Sequence, residues 1–115
     1  MFALNDSQKF YLYSKPTDMR KSFDGLSGLV RSGLQKNPLS GEIFIFINKR
    51  RNMIKILNWQ QGGFVLYFKR LEKGTFEIPK QEKNENEIRI SYTKLAMIVA
   101  GISVKNICKK KRFSK

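Results

Sequence analysis

The residues of this chain whose types and spacing could do chemistry are cations without acidic neighbours. No acidic residue lies between Glu42 and Glu72. Six cations occur in that stretch: Lys49, Arg50, Arg51, Lys55, Lys69 and Arg70. Uncompensated cations among apolar and aromatic strand residues indicate a surface for a polyanion rather than a catalytic centre. We therefore predict that all six contact phosphate groups, with Lys49–Arg51 presented at the tip of a hairpin.

Two further basic groups extend this prediction. Arg20 and Lys21 precede the first predicted helix. The segment 105–115 carries cations and no acids, and it is predicted to be disordered when free. Four of its residues are candidates for phosphate contacts that add affinity without reading sequence: Lys109, Lys110, Lys111 and Arg112.

Aromatic residues in the predicted sheet are candidates for stacking on unpaired bases, as in sheet-based single-strand binders. The candidates are Trp59, Phe64, Tyr67 and Phe68. Aromatic side chains on a sheet belong more often to the core, and the sequence leaves both interpretations open.

The composition bounds the class of protein. With 115 residues, of which 41% are hydrophobic, the chain suffices for one packed domain, predicted over residues 1–104 with the basic tail 105–115 behind it. Its formal net charge of +14 makes nucleic acid the predicted partner, ahead of an anionic membrane or an acidic protein. No apolar run approaches the ~20 residues of a membrane span, and no secretory signal is recognisable, so a cytoplasmic protein is expected.

Histidine is absent and cysteine occurs once, as Cys108. The chain therefore lacks the commonest general base and the commonest zinc ligand, and one cysteine builds neither an internal disulfide nor a metal site. We expect no metal and no cofactor, and we predict that the chain is not an enzyme.

Two catalytic alternatives compete with this prediction. Three carboxylates of the first half of the chain could together hold Mg²⁺ for phosphodiester cleavage: Asp18, Asp24 and Glu42. Their spacing does not demand this, because Asp18 suits a turn and Asp24 the start of a helix. A small metal-independent ribonuclease of the toxin type fits the size and charge better, and three neighbouring residues would be its candidates: Tyr67, Lys69 and Arg70.

Apolar spacing and turn residues predict an α+β fold, with an antiparallel β-meander of four to six strands and two helices. The predicted strands are Phe10–Tyr13, Glu42–Asn48, Met53–Trp59, Phe64–Leu71, Thr75–Ile78 and Ile88–Ile90. The first helix is predicted to begin after Ser22 and to end near Asn37. The second is predicted to begin after Ser91 or Thr93 and to end near Gly101.

Period-2 alternation sorts the strand residues onto two faces. Three pairs set the predicted register: Asn48 with Met53, Trp59 with Phe64, and Leu71 with Thr75. One face collects Phe44, Phe46, Met53, Lys55, Leu57, Trp59, Phe64, Leu66, Phe68, Arg70, Phe76 and Ile78. The other collects Ile43, Ile45, Ile47, Ile54, Ile56, Asn58, Val65, Tyr67, Lys69, Leu71, Thr75 and Glu77. Because neither face is polar, both are expected to be covered by helices, a partner chain or a ligand.

The order of segments also resembles a known family. Two motifs carry the resemblance, the stretch 17–26 and the spacing Lys55-x-Leu57-x-Trp59-x-x-x-Gly63-Phe64-x-Leu66-Tyr67-x-Lys69-Arg70-Leu71-Glu72-x-Gly74-x-Phe76-x-x-Pro79. They are similar to those of the TnpB-type accessory proteins of a large, multi-gene bacterial insertion-sequence family, which are not the RNA-guided nucleases that share the name. Members of that family often carry acids in the loop after the tryptophan, where this chain has Gln60-Gln61-Gly62.

The resemblance implies a protein encoded beside a transposase and needed for efficient movement of the element, and it implies no catalytic residue. Three hypotheses of function stand together. The first is a non-enzymatic accessory factor of transposition that binds DNA, with the element ends as its target. The second is an adaptor that docks onto the transposase through an exposed apolar sheet face, or forms a homodimer through it. The third is the ribonuclease.

Overall fold

The computed structural model describes residues 4–5, 7–80 and 85–101, which form a five-stranded sheet and two helices. The strands are β1 (Phe10–Tyr13), β2 (Ile43–Ile47), β3 (Met53–Gln60), β4 (Gly63–Arg70) and β5 (Glu87–Ile90). The helices are α1 (Phe23–Ser32), between β1 and β2, and α2 (Tyr92–Ala100), after β5. The strands lie side by side in the order β4-β3-β2-β1-β5. The predicted α+β class with two helices is confirmed.

The sheet is mixed, so the prediction of a purely antiparallel meander is wrong. Strands β2, β3 and β4 do form an antiparallel meander, but β1 pairs with β2 in parallel. Helix α1 lies between these two strands in the chain, and a crossover through a helix returns the next strand in the same direction. Strand β5 then pairs antiparallel with β1 at the opposite edge from β4.

The register predicted for the β2–β3 and β3–β4 hairpins is correct, whereas the third predicted hairpin, which pairs Leu71 with Thr75, does not form. Residue Trp59 lies opposite Phe64, and the β2–β3 register matches the predicted one. Residues 71–80 form no strand; this loop returns to the start of β3, where the Phe76 N–H donates to the Arg51 carbonyl at 2.6 Å. Phe76 and Ile78 therefore lie on the opposite face from the predicted one, because alternation does not continue through an irregular loop.

Each face of the sheet is covered by one helix, which confirms that neither face is left to solvent as a whole. The α2 face is built mainly from β-branched residues, with the buried members Phe10, Leu12, Ile43, Ile45, Ile47, Ile54, Ile56, Phe76, Ile90, Leu95, Ile98 and Val99. The α1 face is richer in aromatics, with the buried members Tyr11, Leu26, Val30, Leu34, Phe44, Phe46 and Leu57. Full burial of one such side chain stabilises the fold by roughly 1.5–3 kcal/mol.

The ends of α2 follow the predicted chemistry more closely than those of α1. The Ser91 hydroxyl accepts the Lys94 N–H at 3.0 Å, and Gly101 takes the left-handed conformation (φ 75°) that ends the helix. Ser22 precedes α1 without a side-chain cap bond, and α1 ends at Ser32, earlier than predicted. The predicted tail, 105–115, lies outside the described residues. None of the helices in the described ranges is long and apolar enough to cross a membrane.

Candidate nucleic-acid interface

The turn between β2 and β3 presents three cations on a well-bonded scaffold. The Asn48 side-chain oxygen accepts the N–H groups of Asn52 and Met53, both at 3.0 Å, and its amide nitrogen donates to the Asn52 side chain at 2.8 Å. The Arg51 N–H also donates to the Asn48 carbonyl at 3.0 Å, and Arg51 has a positive φ of 59°. These bonds hold the turn from inside, so the side chains of Lys49–Arg51 are left on the outside, where all three residues are exposed.

Two neighbouring segments are attached to this same end of the sheet. The Leu71 N–H donates to the Asn52 carbonyl at 2.8 Å, which fixes the start of the loop 71–80. The Thr17 N–H donates to the Ile47 carbonyl at 2.9 Å, which fixes the segment 17–21. We call this end of the sheet the basic end; it carries Arg20, Lys21, Lys49, Arg50, Arg51 and Arg70.

Two arginines of the basic end already have carboxylate partners. The Arg20 guanidinium donates to both oxygens of Asp18, at 2.6 to 3.1 Å, although its side chain is 92% exposed. The hydrogen bonds from Arg20 hold the pKa of Asp18 at about 2, below its ordinary value of 3.8. Arg70 and Glu72 form a looser exposed pair at 3.3 Å. Exposed pairs of this kind are weak, and a phosphate competes with such a carboxylate for the arginine.

No carboxylate of the described residues lies within ion-pair distance of the turn cations Lys49, Arg50 and Arg51. This is the electrostatic difference between the turn and the two paired arginines of the basic end, Arg20 and Arg70. Within the described residues these three charges are therefore open to a counter-ion or an anionic ligand.

Lys55, predicted to contact phosphate, is 7% exposed and serves the interior instead. Its ammonium group donates to the carbonyl oxygens of Met19, at 2.8 Å, and Lys21, at 2.7 Å. It also lies 4.9 Å from the centre of the Phe68 ring. Lys55 thus attaches the segment 17–21 to the middle of the sheet and positions Arg20 and Lys21 without reaching the surface.

Lys69 also bonds within the protein. Its ammonium donates to the Val99 carbonyl at 2.8 Å, in the last turn of α2. A cation there satisfies a carbonyl that has no intrahelical partner and complements the helix dipole. Lys109, Lys110, Lys111 and Arg112 lie outside the described residues.

The structure separates the aromatic candidates. Trp59 and Tyr67 lie on opposite faces of the sheet, so they cannot form one stacking platform. Trp59 instead meets Phe64 edge to face, with ring centres 5.0 Å apart. Phe64 stacks in turn against Phe23 of α1 at 6.4 Å. Phe23, at 42% exposure, and Phe68, at 53%, are the exposed aromatics of the α1 face.

The residues of the catalytic alternatives do not converge. The described residues contain no group of three or more His, Cys, Asp or Glu side chains able to hold a metal ion. Glu42 is engaged by the Tyr11 and Ser40 hydroxyls. Tyr67 and Lys69 lie on the α2 face, whereas Arg70 lies on the α1 face, so these three do not form one ribonuclease site.

Comparison with known proteins places this arrangement in a family. The family model described as IS66 Orf2-like protein matches residues 8–109, nearly the whole chain. The chain belongs to the IS66 Orf2-like family. This family consists of accessory proteins of insertion-sequence transposition, which associates the chain with the transposition machinery of such an element.

Two relatives of this IS66 Orf2-like chain come from Sinorhizobium fredii (strain NBRC 101917 / NGR234), and both carry the description "uncharacterized protein". The protein y4jC is 33% identical over 89 residues, which cover 77% of this chain and 74% of the relative. The protein y4hO is 32% identical over 103 residues, covering 89% and 87%. No solved structure matches the chain.

Sequence reasoning missed two positioning residues of this IS66 Orf2-like protein. Asn48 builds the basic turn, and the signal available was the pair of asparagines, Asn48 and Asn52, that bracket it, since asparagine side chains bond to nearby backbone in turns. The second is Phe23, the first residue of α1, which stacks against Phe64 and is 42% exposed. It shares the helical spacing of the buried Leu26 and Val30, so the sequence pattern gives no signal of its exposure.

Proposed function

We propose that this protein is a non-enzymatic accessory factor of transposition that binds DNA through the basic end of its sheet. The observation that carries the proposal is the turn of Lys49, Arg50 and Arg51. Its three exposed cations have no carboxylate partner in the described residues and sit on a scaffold held by Asn48. Cations prearranged in this way bind phosphates without first breaking an internal ion pair.

The contacts of the basic end divide into primary and secondary ones. The three turn cations and exposed Lys21 are the primary phosphate ligands, since their charges face solvent. Arg20 and Arg70 join when a phosphate displaces Asp18 or Glu72. Lys55 and Lys69 are left out because their ammonium groups are bonded to carbonyl oxygens. Phosphate contacts fix position and supply affinity, whereas sequence is read only through contacts with base edges.

The proposal is tested by fluorescence anisotropy with DNA carrying the element's terminal inverted repeats and with scrambled DNA of equal length, over a range of salt. If the four primary cations engage duplex DNA, the logarithm of affinity falls against the logarithm of salt concentration with a slope of about −3.6. A flat salt dependence, or no binding at physiological salt, contradicts the proposal. Tighter binding to the repeats would show that the element ends are the target, whereas equal binding would show a non-specific DNA clamp.

A matched pair of double variants locates the surface. Lys49→Gln with Arg50→Gln removes two turn cations and is expected to make the slope shallower by about 1.8. Lys9→Gln with Lys94→Gln removes the same charge from the opposite end of the sheet, where β1 and α2 begin, and is expected to leave the slope nearly unchanged. Equal effects of the two pairs would assign binding to net charge rather than to the basic end.

A further inference from the structure

Strand β4 is an outer edge of the sheet. In the described part of the chain, β4 pairs with β3 on one side and with no strand on the other. With eight residues it is twice as long as β5, which forms the other edge with four. An edge strand carries a row of backbone N–H and C=O groups that can pair with another strand.

The backbone groups that face outward along β4 can be identified from the register. The two-residue turn makes Gln60 and Gly63 a hydrogen-bonded pair, and the Leu71 N–H donates to Asn52 at the far end. The odd-numbered residues of β4 therefore bond to β3. The backbone N–H and C=O groups of Phe64, Leu66 and Phe68 point away from β3, toward the open side of β4. The side chains of these residues lie on the α1 face.

This edge lacks the usual protection against pairing over most of its length, because its two cations, Lys69 and Arg70, lie at its end. Residues 63–68 contain no charge and no proline, whereas the short strand β5 carries Glu87 and Arg89. The adjoining surface is apolar, with Phe68 at 53% exposure and Phe23 at 42%. A six-residue uncharged stretch of edge beside exposed aromatics is a surface that associates.

We infer that β4 pairs antiparallel with β4 of a second copy of this chain, about a two-fold axis at Leu66, so that two five-stranded sheets join into one of ten strands. Only outward-facing residues can bond across the edge, so even-numbered residues must oppose even-numbered ones. With the axis at Leu66, each Phe64 lies opposite Phe68 of the partner, a favourable aromatic cross-strand pair.

The charges at the end of β4 favour a second copy of this chain as the partner, and they favour the antiparallel orientation. In the antiparallel register about Leu66, Lys69 lies opposite Gly63 and Arg70 opposite Gly62, so no like charges meet. A parallel pairing would set Lys69 and Arg70 against their own copies, which is destabilising. The chain's own segment 105–115 is a poorer occupant, because it carries cations and no acids and would lie along a strand that ends in two cations.

Sedimentation velocity of the full chain over a wide concentration range tests the inference. The wild-type protein is expected to be a dimer, and Leu66→Lys is expected to be a monomer, because it sets two ammonium groups face to face on the axis. Leu39→Lys is the matched control: Leu39 is 43% exposed, lies outside β4 and should leave the dimer intact. A wild-type monomer at every concentration overturns the inference and makes the transposase the next candidate for the edge.

Cross-linking tests the register without relying on Leu66→Lys to fold. In a Cys108→Ser background, Leu66→Cys places two thiols opposite each other at a Cα separation of about 5.5 Å, within the range a disulfide spans. Oxidation or a short bis-maleimide should convert most of this variant, but not Leu39→Cys, to a covalent dimer. A dimer that resists Leu66→Lys, or that fails to cross-link through Leu66→Cys, would place the contact elsewhere and overturn the inference.

Discussion

Two sets of cations in this protein differ only in what surrounds them. Lys55 and Lys69 bond to backbone carbonyls, at 2.7 to 2.8 Å, and hold separate segments against the sheet. Lys49 and Arg50 lie on a turn with no described carboxylate within ion-pair distance. A lysine in a strand and a lysine in the adjoining turn therefore carry the same charge but have different roles. The first holds segments of the protein together, and the second remains free to bind an anion.

The physical reason is desolvation. A cation taken out of water must regain hydrogen bonds inside the protein, and carbonyl oxygens supply them to Lys55. Once bonded there, the ammonium cannot bind a phosphate without leaving those carbonyls unpaired. An exposed cation retains its water and exchanges it for phosphate at little cost, with release of counter-ions from the DNA.

The largest effect that separates the two sets is expected from Lys55→Ala. This change removes two charge-assisted hydrogen bonds and the buried stem, so the free energy of unfolding should fall by about 2–3 kcal/mol. Urea denaturation measures it through the transition midpoint. Lys49→Ala, in the exposed turn, should leave the midpoint unchanged.

Lys55→Met separates the contribution of the buried lysine stem to stability from that of its charged ammonium group. Methionine keeps most of the packing volume, so the free energy of unfolding should fall by less than in Lys55→Ala, by about 1–2 kcal/mol. If Lys55→Ala proved no more destabilising than Lys49→Ala, the distinction between positioning and binding cations would fail at this residue.

A smaller effect is expected from Lys69→Ala. Loss of the bond to the Val99 carbonyl should cost about 1 kcal/mol, since the carbonyl lies in the last turn of a helix that water can partly solvate. Hydrogen exchange should show faster opening of the C-terminal turn of α2, with the β2–β3 amides unaffected. Equal acceleration in both regions would mean that Lys69 supports the whole fold rather than this helix end.

The smallest effect is expected at the pair Asp18–Arg20. Arg20 is exposed like the turn cations, but it is bonded within the protein like Lys55 and Lys69. Because the pKa of Asp18 is depressed from 3.8 to about 2, the contribution of its charge to stability is fully present above pH 3.8 and is lost as the pH falls through about 2. An NMR pH titration of the Asp18 carboxyl carbon should report this low pKa. Arg20→Gln should return it toward 3.8, and a wild-type titration already near 3.8 would show that the pair does not persist in solution.

Local features of the fold were predictable because their determinants are adjacent in sequence. Residues 49–52 and Gln61-Gly62 join strands directly, so turn length and apolar alternation together specify which residues pair. Gly101 could likewise be assigned to a helix end, where its φ of 75° costs glycine little. The family motif from Lys55 to Pro79 could also be recognised from the sequence, because it consists of residues at fixed, short spacings.

The errors arose where distant segments meet. Phe76 was sorted onto the α1 face by extending alternation past Gly74, whereas its N–H bond to Arg51 sends it into the α2 face. The parallel pairing of β1 with β2 depends on how α1 crosses between them. The burial of Lys55 depends on the segment 17–21, more than thirty positions away along the chain.

The class of fold, the β2–β3–β4 meander and the strongly cationic character follow from the sequence alone, because period-2 alternation, turn residues and charge are local or additive properties. Within the described residues, the tertiary contacts settle which cations reach solvent and which strands lie at the edges of the sheet. Those outcomes depend on the burial of one segment by another, and burial decides whether a charge must be bonded inside the protein or is left to bind a partner.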